Sequence, residues 1–419
     1  MGTYLQDPLH RNALYLVVNT GLAGILGLAF WVSAARLQSP EDLGFASALV
    51  SACTQLSLLA SLGLDLGLVR FLPEYPTRQG NLINSVLTLV GLTSLVVGVI
   101  FLIGIPLWSP ALKMVLQNPI YFVGFIGLTF GLVIFSMTNS SFVGLRKANN
   151  VLISTTTAGI CRIIFLFLLG LISGGLSIFF AWGISIWVAI TLSTSFLLPR
   201  EIKNYTPTPK FDWSSLKPLA SQSSMNYIAH LLFNTQLHLV PLILLSLVGP
   251  ESNAFYFSAL ALASPTWVIP LAVSMVVVVE GSHDTRNLRL IMKKGLRLAA
   301  LVEIPILTLL WFGGPYLLLA FGERYSEESI QTLRVLAVCS IPVVLIDFYL
   351  AVGRVQKRMV GPVGVLALVA TGTLIGTYLM VPHLGILGAA FALLISNSIG
   401  GLISLWKMAN LKNVTNDPK

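Results

Sequence analysis

The chain has 419 residues, of which 55% are hydrophobic and only 10% are charged, and its mean hydropathy is +0.85. This composition excludes an ordinary water-facing surface and favours a chain whose solvent is the lipid bilayer. The net charge of +9 comes from basic residues in short loops between apolar runs, so topology and lipid headgroups explain it better than nucleic-acid binding.

Apolar runs recur along the whole chain at the length that a membrane requires. A helix needs about 20 residues to cross a hydrocarbon core of roughly 30 Å. The first run, Ala13 to Ala35, is too long for a signal-peptide core and is followed by Arg36 and a further apolar run, so we interpret it as the first helix. The sequence predicts an all-α, polytopic membrane protein with 12 transmembrane helices, at residues 12–35, 43–69, 81–107, 119–143, 151–172, 177–198, 216–247, 253–279, 296–321, 330–353, 359–381 and 384–406.

A polar break at the midpoint, from Pro199 to Pro218, separates six predicted helices from the next six. It contains four Pro residues and little apolar content, so it is typical of a semi-rigid linker in water. We therefore predict an N-terminal six-helix lobe over 1–200, a cytoplasmic linker over 201–215 and a C-terminal six-helix lobe over 216–419.

The basic residues predict the orientation of the chain. Twenty of the 25 Lys and Arg residues fall in one set of loops, which includes the linker, and four fall in the opposite set. Because Lys and Arg in short loops are retained on the cytoplasmic side, both termini should be cytoplasmic in a multi-pass protein of the cell membrane. The set of twenty includes Arg286, in the loop before the ninth predicted helix, and Lys412 and Lys419, which follow the twelfth.

The two halves match each other weakly at a constant offset. Pro40, Glu41 and Phe45 at the start of the second helix correspond to residues 210 positions later at the start of the eighth, which are Pro250, Glu251 and Phe255. Six crossings preserve orientation, so the repeat should be parallel, with its axis along the membrane normal. Such repeats usually enclose a central cavity, and we expect one here.

Arg162 is the one charge predicted near the centre of the bilayer. Thr155 and Gly159 lie on the same helical face, which is small and polar rather than lipid-like. A guanidinium keeps its charge and its fork matches phosphate oxygens. The sequence leaves two alternatives open: a site for an anionic ligand, or a structural ion pair with a membrane carboxylate.

The seventh helix contains a polar stripe of residues at i+4 spacing, with Gln222, Ser223 and Gln236 nearby. Spacing of four drifts slowly around a helix, so the stripe slants through the membrane. It predicts a substrate-binding cavity wall, and the alternative is hydrogen bonding between helices. Its members are Asn226, His230, Asn234 and His238.

Three carboxylates, Asp65, Glu303 and Asp347, lie near basic residues at cytoplasmic helix ends. This position favours snorkelling or a local ion pair, and the functional alternative is coupling to a proton or a sodium ion. Arg70, at a cytoplasmic helix end, is a second candidate contact for a substrate headgroup.

Catalytic and metal chemistry have little support. Cys53, Cys161 and Cys339 lie inside predicted helices without metal-ligand spacing, so we predict no metal and no cofactor. The pair His283 and Asp284 has no partner motif, so we predict that the protein is not an enzyme.

Four stretches resemble the polysaccharide-export and O-antigen-type flippases of the multidrug/oligosaccharidyl-lipid/polysaccharide exporter superfamily. They are RLQSPEDLGF from Arg36, GLDLGLVRFLPE from Gly63, FGERY from Phe321 and LGILGAAFA from Leu384. The resemblance implies two six-helix lobes around a cavity and transfer of a polyprenyl-diphosphate-linked oligosaccharide to the outer leaflet by alternating access. It implies lipid-linked oligosaccharide and membrane lipids as partners, with a polysaccharide polymerase or glycosyltransferases as further candidates.

The same resemblance includes a different substrate class. The related cation-coupled multidrug exporters often have an acidic residue on the first helix, whereas Leu14 to Ala35 contains neither Asp nor Glu. This difference favours the flippase, and the multidrug exporter remains the alternative.

Overall fold

The computed structural model describes residues 8–170, 174–213, 216, 219, 224–284 and 287–410, and within them it contains helices and no strand. We number the α-helices in chain order. They are α1 (Pro8–Leu37), α2 (Pro40–Ala60), α3 (Leu64–Phe71), α4 (Gln79–Trp108), α5 (Lys113–Gln117), α6 (Pro119–Gly144), α7 (Ala148–Gly170), α8 (Gly174–Leu192), α9 (Leu198–Glu201), α10 (Ser224–Leu247), α11 (Gly249–Ala263), α12 (Pro265–His283), α13 (Leu288–Leu319), α14 (Glu323–Val338), α15 (Ser340–Val355), α16 (Val360–Leu384) and α17 (Ile386–Ala409).

The prediction of 12 transmembrane helices is confirmed. Twelve helical stretches within the described ranges are long and apolar enough to cross a membrane. Three of them are composite: α8 continues through a π-helical turn, Ser193–Leu197, into α9, whereas α11 with α12 and α14 with α15 form the eighth and tenth spans. The seventh span is Ser224–Leu247; Gln222 and Ser223, which the sequence places near the polar stripe of this helix, lie outside the described residues.

The sequence motif at the second span is a helix start. The Ser39 hydroxyl accepts a hydrogen bond from the Asp42 N–H at 3.1 Å, and Pro40 occupies the first turn, where its missing N–H has no cost. Glu41 and Asp42 place negative charge at the positive end of the helix dipole. The stretch RLQSPEDLGF thus encodes the entry into α2.

The predicted second helix is wrong in its last turns. Instead of continuing to residue 69, it ends at Ala60, because Leu62 and Gly63 both have positive φ angles, 52° and 73°. The Ser61 hydroxyl accepts from the Gly63 N–H at 3.4 Å, and a new short helix, α3, begins at Leu64. Tyr227 packs closely against Gly63: a Cβ added to Gly63 would lie 2.7 Å from the Cβ of Tyr227.

Most of the charged stretch from Glu323 to Glu328 is exposed, but one of its residues is buried. This stretch is the start of α14, and Tyr325 is only 3% exposed. Its ring packs edge-on against Phe255 with the centroids 5.2 Å apart. Burial of the Tyr325 ring stabilises this first part of α14, although most of the residues next to Tyr325 in the sequence are charged.

The described part of the linker lies against the first turns of α4. The Asn84 Nδ2 donates to the Thr206 carbonyl at 2.8 Å, and the Lys210 N–H donates to the Thr88 Oγ1 at 3.0 Å. Tyr205 is 6% exposed, and burial raises the pKa of its phenol above the ordinary value. The linker is therefore docked rather than free in water.

The chain divides into two compact units, Met1–Tyr227 and Ile228–Lys419. In the first unit, α7 packs on α1 and α8, and α6 packs on α2, α3, α4 and α8. In the second, α17 packs on α15 and α16, and α13 packs on α12 and α14.

Corresponding contacts recur in the two units. Phe45 and Tyr121 pack edge-on in the first unit, with ring centroids 5.8 Å apart, as Phe255 and Tyr325 do in the second. The second and fourth spans thus pack as the eighth and tenth do, which agrees with the predicted parallel repeat, although Tyr121 and Tyr325 are separated by 204 residues rather than 210.

The ends of α6 and α15 also correspond. The Lys147 N–H donates to the Phe142 carbonyl and the Arg358 N–H to the Gly353 carbonyl, both at 2.8 Å. The residue before each donor, Arg146 or Lys357, has a left-handed backbone, so both ends are Schellman caps with paired basic residues.

Candidate functional site

Arg162 lies on the face of α7 that packs against α1. Contacts between α7 and α1 continue along both helices. The Thr155 hydroxyl donates to the Asn19 Oδ1, and a Cβ added to Gly159 would lie 2.7 Å from the Leu26 Cδ1. The small polar face predicted for this part of α7 is therefore a helix-packing face. It places Arg162 beside α1 and α8, inside the first unit.

The guanidinium of Arg162 stacks on aromatic rings. Its Cζ is 3.4 Å from the ring centroid of Trp182 on α8 and 5.7 Å from that of Phe30 on α1. Trp31 packs against both of these rings, at 5.1 Å from Phe30 and 5.3 Å from Trp182. Cation–π contacts of this kind stabilise a desolvated cation by about 2 kcal/mol and leave its charge uncompensated.

Two hydrogen-bond donors at this place have no acceptor among the described residues. They are the buried Nε of Arg162 and the buried Nε1 of Trp182. Within the described part of the first unit, no carboxylate lies at ion-pairing distance from Arg162. The site is thus a positive charge with two adjacent donors that could both be satisfied by the oxygens of an anion.

Asp65 and Arg70 lie on the short helix α3 in the first unit. Asp65 is half-buried in the first turn, where the helix dipole favours a carboxylate. Arg70 is exposed in the last turn, with its Cζ 5.3 Å from the neighbouring Phe71 ring. The phenol of Tyr227 donates to the Leu59 carbonyl at 2.9 Å and so ties the start of α10 to this region.

The polar stripe of α10 lies away from the apolar face of the same helix. His230 is exposed, and Asn226, Asn234 and His238 are partly buried, whereas Ala229 is 1% exposed within the core of the second unit. At about 100° per residue, the stripe drifts from beside that core face to the side opposite it. The Asn234 Nδ2 donates to the His230 carbonyl at 2.8 Å, so part of the stripe is satisfied within the helix.

Gln236 belongs to the packed face and not to the stripe. It is 2% exposed, and its Oε1 accepts a 3.0 Å hydrogen bond from the Asn397 Nδ2 of α17. Both interpretations of the polar residues on this helix therefore have an example: Gln236 bonds between helices, and the stripe faces outward from the core.

The other two candidate carboxylates lie in the second unit. Glu303 on α13 and Asp347 on α15 are 3% and 4% exposed. The sequence did not indicate that Trp182 and Phe30 pack against Arg162. These partners come from other helices, and an apolar run gives no signal for them.

The chain is similar in fold to several solved membrane transporters. The chain matches an inward-facing multidrug resistance MATE family transporter of the MOP superfamily with a TM-score of 0.74 and 16% identity, covering 97% of this chain and 100% of that one. It matches the lipid II flippase MurJ, in an inward closed conformation, with a TM-score of 0.73 and 15% identity, covering 96% and 88%. A MOP superfamily transporter from Pyrococcus furiosus matches with a TM-score of 0.57 and 15% identity, covering 97% and 94%. The fold, with its 12 candidate spans, is therefore similar to that of these transporters.

The family follows from the sequence. A family model described as polysaccharide biosynthesis protein matches residues 9–279, which is well over half of the chain, and the chain belongs to this family. No curated protein sequence matches the chain. The resemblance to the polysaccharide flippases drawn from the four short stretches is thus confirmed.

Proposed function

We propose that this protein is a flippase that moves a polyprenyl-diphosphate-linked oligosaccharide from the inner to the outer leaflet of the cell membrane, for the synthesis of a surface polysaccharide. The family match and the transporter fold support movement of a substrate across a membrane. One of the structures with this fold is a lipid II flippase.

The observation that carries the substrate class is the site around Arg162. A diphosphate brings at least two negative charges into an apolar environment, where a cation that keeps its charge is the most effective partner. The guanidinium has aromatic neighbours instead of a carboxylate among the described residues of its unit, and Trp182 presents a second unsatisfied donor beside it. We assign Arg162 to the diphosphate, with the α10 stripe and Arg70 as further substrate contacts.

The test is a leaflet assay with the purified full chain in vesicles that contain lipid-linked oligosaccharide. We expect Arg162→Gln to lower the flipping rate by about 100-fold, because loss of a facing cation costs several kcal/mol. Arg162→Lys keeps the charge but loses the fork, so its rate should be intermediate. Trp182→Phe keeps an aromatic ring for the cation and removes the second donor, so its rate should fall by about tenfold.

The matched control is Arg334→Gln. Arg334 also lies over a tryptophan, with its Cζ 5.4 Å from the Trp311 ring, but its Nε donates to the Trp311 carbonyl. This variant should flip at the wild-type rate. A well-folded Arg162→Gln protein that flips as fast as the wild type would refute the diphosphate assignment.

The second candidate function is cation-coupled export of drugs in the same fold. The buried carboxylates Glu303 and Asp347 favour it, since such exporters require an ionisable group in the membrane. It predicts drug sensitivity on deletion of the gene and no effect on surface polysaccharide. The flippase predicts the reverse.

A further inference from the structure

The linker runs along α4 in the direction of the membrane. Tyr205 packs on Gly80, where an added Cβ would lie 3.3 Å from the Tyr205 Cδ2. The hydrogen bond that the Thr206 carbonyl accepts follows, and then the 3.0 Å bond from the Lys210 N–H to the Thr88 Oγ1. The contacts come in the same order along both segments, so the linker advances about 12 Å along the helix between Gly80 and Thr88.

This path brings the linker to the edge of the acyl-chain region. The third span, Gln79–Leu107, has 29 residues. As a helix it is about 43 Å long, against a hydrocarbon core of roughly 30 Å, so a centred span has about 7 Å outside the core at each end. Thr88 lies about 14 Å from the start of the span and is therefore just inside the core.

Beyond Thr88 the same face of α4 is open. Leu92 and Val99 lie within about 40° of Thr88 around the helix axis. Their side chains are 55% and 42% exposed. Large exposed apolar side chains within a membrane span face lipid. The linker therefore covers the polar part of this face and reaches the place where its lipid-facing part begins.

The side chain of Lys210 points back along α4. Its backbone N–H is bonded at Thr88, whereas its Nζ donates to the Asn81 Oδ1 at 2.9 Å, about two turns nearer to the start of the helix. A lysine whose backbone lies at the depth of lipid extends its ammonium toward water in this way. The direction of the side chain thus agrees with lipid around the linker at the level of Thr88.

Two exposed aromatic rings follow Lys210. Phe211 and Trp213 are stacked, with ring centroids 6.3 Å apart, and are 57% and 59% exposed. Rings of this kind are enriched where lipid headgroups meet acyl chains, since an indole is apolar with one polar N–H. The Leu216 N–H donates to the Asp212 carbonyl at 3.3 Å, so the charge between the two rings lies at the start of a helical turn, whose dipole favours a carboxylate.

We propose that Phe211 and Trp213 insert into the lipid leaflet on the linker's side of the membrane and form an interfacial anchor for the linker. Lys210 places its ammonium among the headgroups of that leaflet, where lipid phosphates attract it. The lipid-facing surface of α4 and the two rings then form one continuous apolar surface. This inference goes beyond the proposed function, because it holds for any cargo.

The test is tryptophan fluorescence of the full chain in nanodiscs of phosphatidylcholine whose acyl chains are brominated either near the headgroup or near their tips. The spectrum of Trp213→Phe, subtracted from that of the wild type, gives the emission of Trp213. Bromine near the headgroup should quench this emission at least about twofold more than bromine at the tips, because the ring lies at the interface. Acrylamide in the water should quench it weakly.

Two other tryptophans, measured by the same subtraction, are the controls. Trp406 is 60% exposed near the end of α17 and should be quenched by the same lipid as Trp213. Trp267 is 3% exposed and should be quenched least by every reagent. Lys203→Trp in the Trp213→Phe chain places an indole at an exposed linker position that precedes the contact at Gly80. Acrylamide should quench that indole more than either lipid does.

A second variant keeps both rings. Phe211→Trp combined with Trp213→Phe moves the indole by two positions, and its emission should show the same preference for bromine near the headgroup. If Trp213→Phe prevents folding, Trp213→Tyr provides the reference spectrum.

Emission from Trp213 that acrylamide quenches and brominated lipid does not would place the rings in water, favour a protein partner and overturn the proposal. Stronger quenching by bromine at the chain tips would also overturn it, because the rings would then lie deep in the bilayer. The readout contains no transport step, so failure of the flippase assignment and failure of the anchor are separate results.

Discussion

The backbone at Gly63 has a φ of +73°, and a Cβ added there would lie 2.7 Å from the Cβ of Tyr227. Gly63→Ala therefore adds a left-handed strain of about 1 to 2 kcal/mol and a clash with an atom that cannot rotate away. We expect a loss of about 2 kcal/mol or more in the free energy of unfolding, measured as a lower Tm of the purified protein.

Gly127→Ala is the matched control for that experiment. Gly127 lies inside α6 with open space around it, so an added Cβ should be neutral or raise helix stability by about 1 kcal/mol. A Gly63→Ala protein at least as stable as this control would show that Tyr227 does not constrain the turn.

At the scale of the element, the linker should be held by the polar residues of α4. Asn84→Ala removes the bond to the Thr206 carbonyl and a 3.3 Å bond to the Thr208 hydroxyl. A local loss of about 1 to 2 kcal/mol should raise trypsin cleavage at Lys203 and Lys210 by roughly 5- to 30-fold. Limited proteolysis of the protein in nanodiscs measures this rate.

The control is Asn81→Ala on the same helix. Among the described residues, Asn81 accepts from the exposed Lys210 Nζ at 2.9 Å, and exposed contacts contribute little. Cleavage should change by less than about twofold. Equal cleavage in the two variants would mean that Asn84 does not hold the linker.

The α10 stripe should be accessible to water. In a chain whose three cysteines are replaced, single cysteines at Asn226, His230 and Asn234 should react with small water-soluble thiol reagents. A cysteine at Ala229, which is 1% exposed on the packed face, should react at least about tenfold more slowly. Uniformly slow labelling would mean that the stripe is not in contact with water.

The sequence predicts the membrane spans well and their ends poorly, for a physical reason. Lipid requires about 20 apolar residues per crossing, and such a run can be recognised from the local sequence alone. The end of α2 depends instead on Tyr227, which is 164 positions from Gly63 and whose contact no local pattern reveals. The docking of the linker, which we did not predict, does have a local signal in the sequence. Asn81, Asn84 and Thr88 lie on one face of α4 at i, i+3 and i+7.

The sequence predicts the charge at the candidate site, Arg162, but not the residues that contact it. Arg162 stands out because an arginine in an apolar run is rare. Its contact with Trp182 and Phe30 depends on how α1 and α8 pack, and several other aromatic residues on those helices would have satisfied the same pattern.

At the scale of the whole molecule, the basic residues predict which side of the membrane each loop occupies. Cysteines at the exposed positions Lys210 and Glu327 should be labelled from opposite sides in intact cells, and Glu327 should be labelled from outside. An impermeant thiol reagent, with and without permeabilisation, provides the measurement. Labelling of Lys210 from outside would reverse the orientation.

In the Schellman caps of α6 and α15, a single residue must both adopt a left-handed backbone and carry a positive charge. The left-handed positions are occupied by Arg146 and Lys357, although glycine would adopt that backbone at about 1 kcal/mol lower cost. Glycine, however, carries no charge for the insertion machinery to read while the helix is still entering the membrane. We therefore predict that both turns give up stability of the finished fold for a charge that orients the helix during biosynthesis.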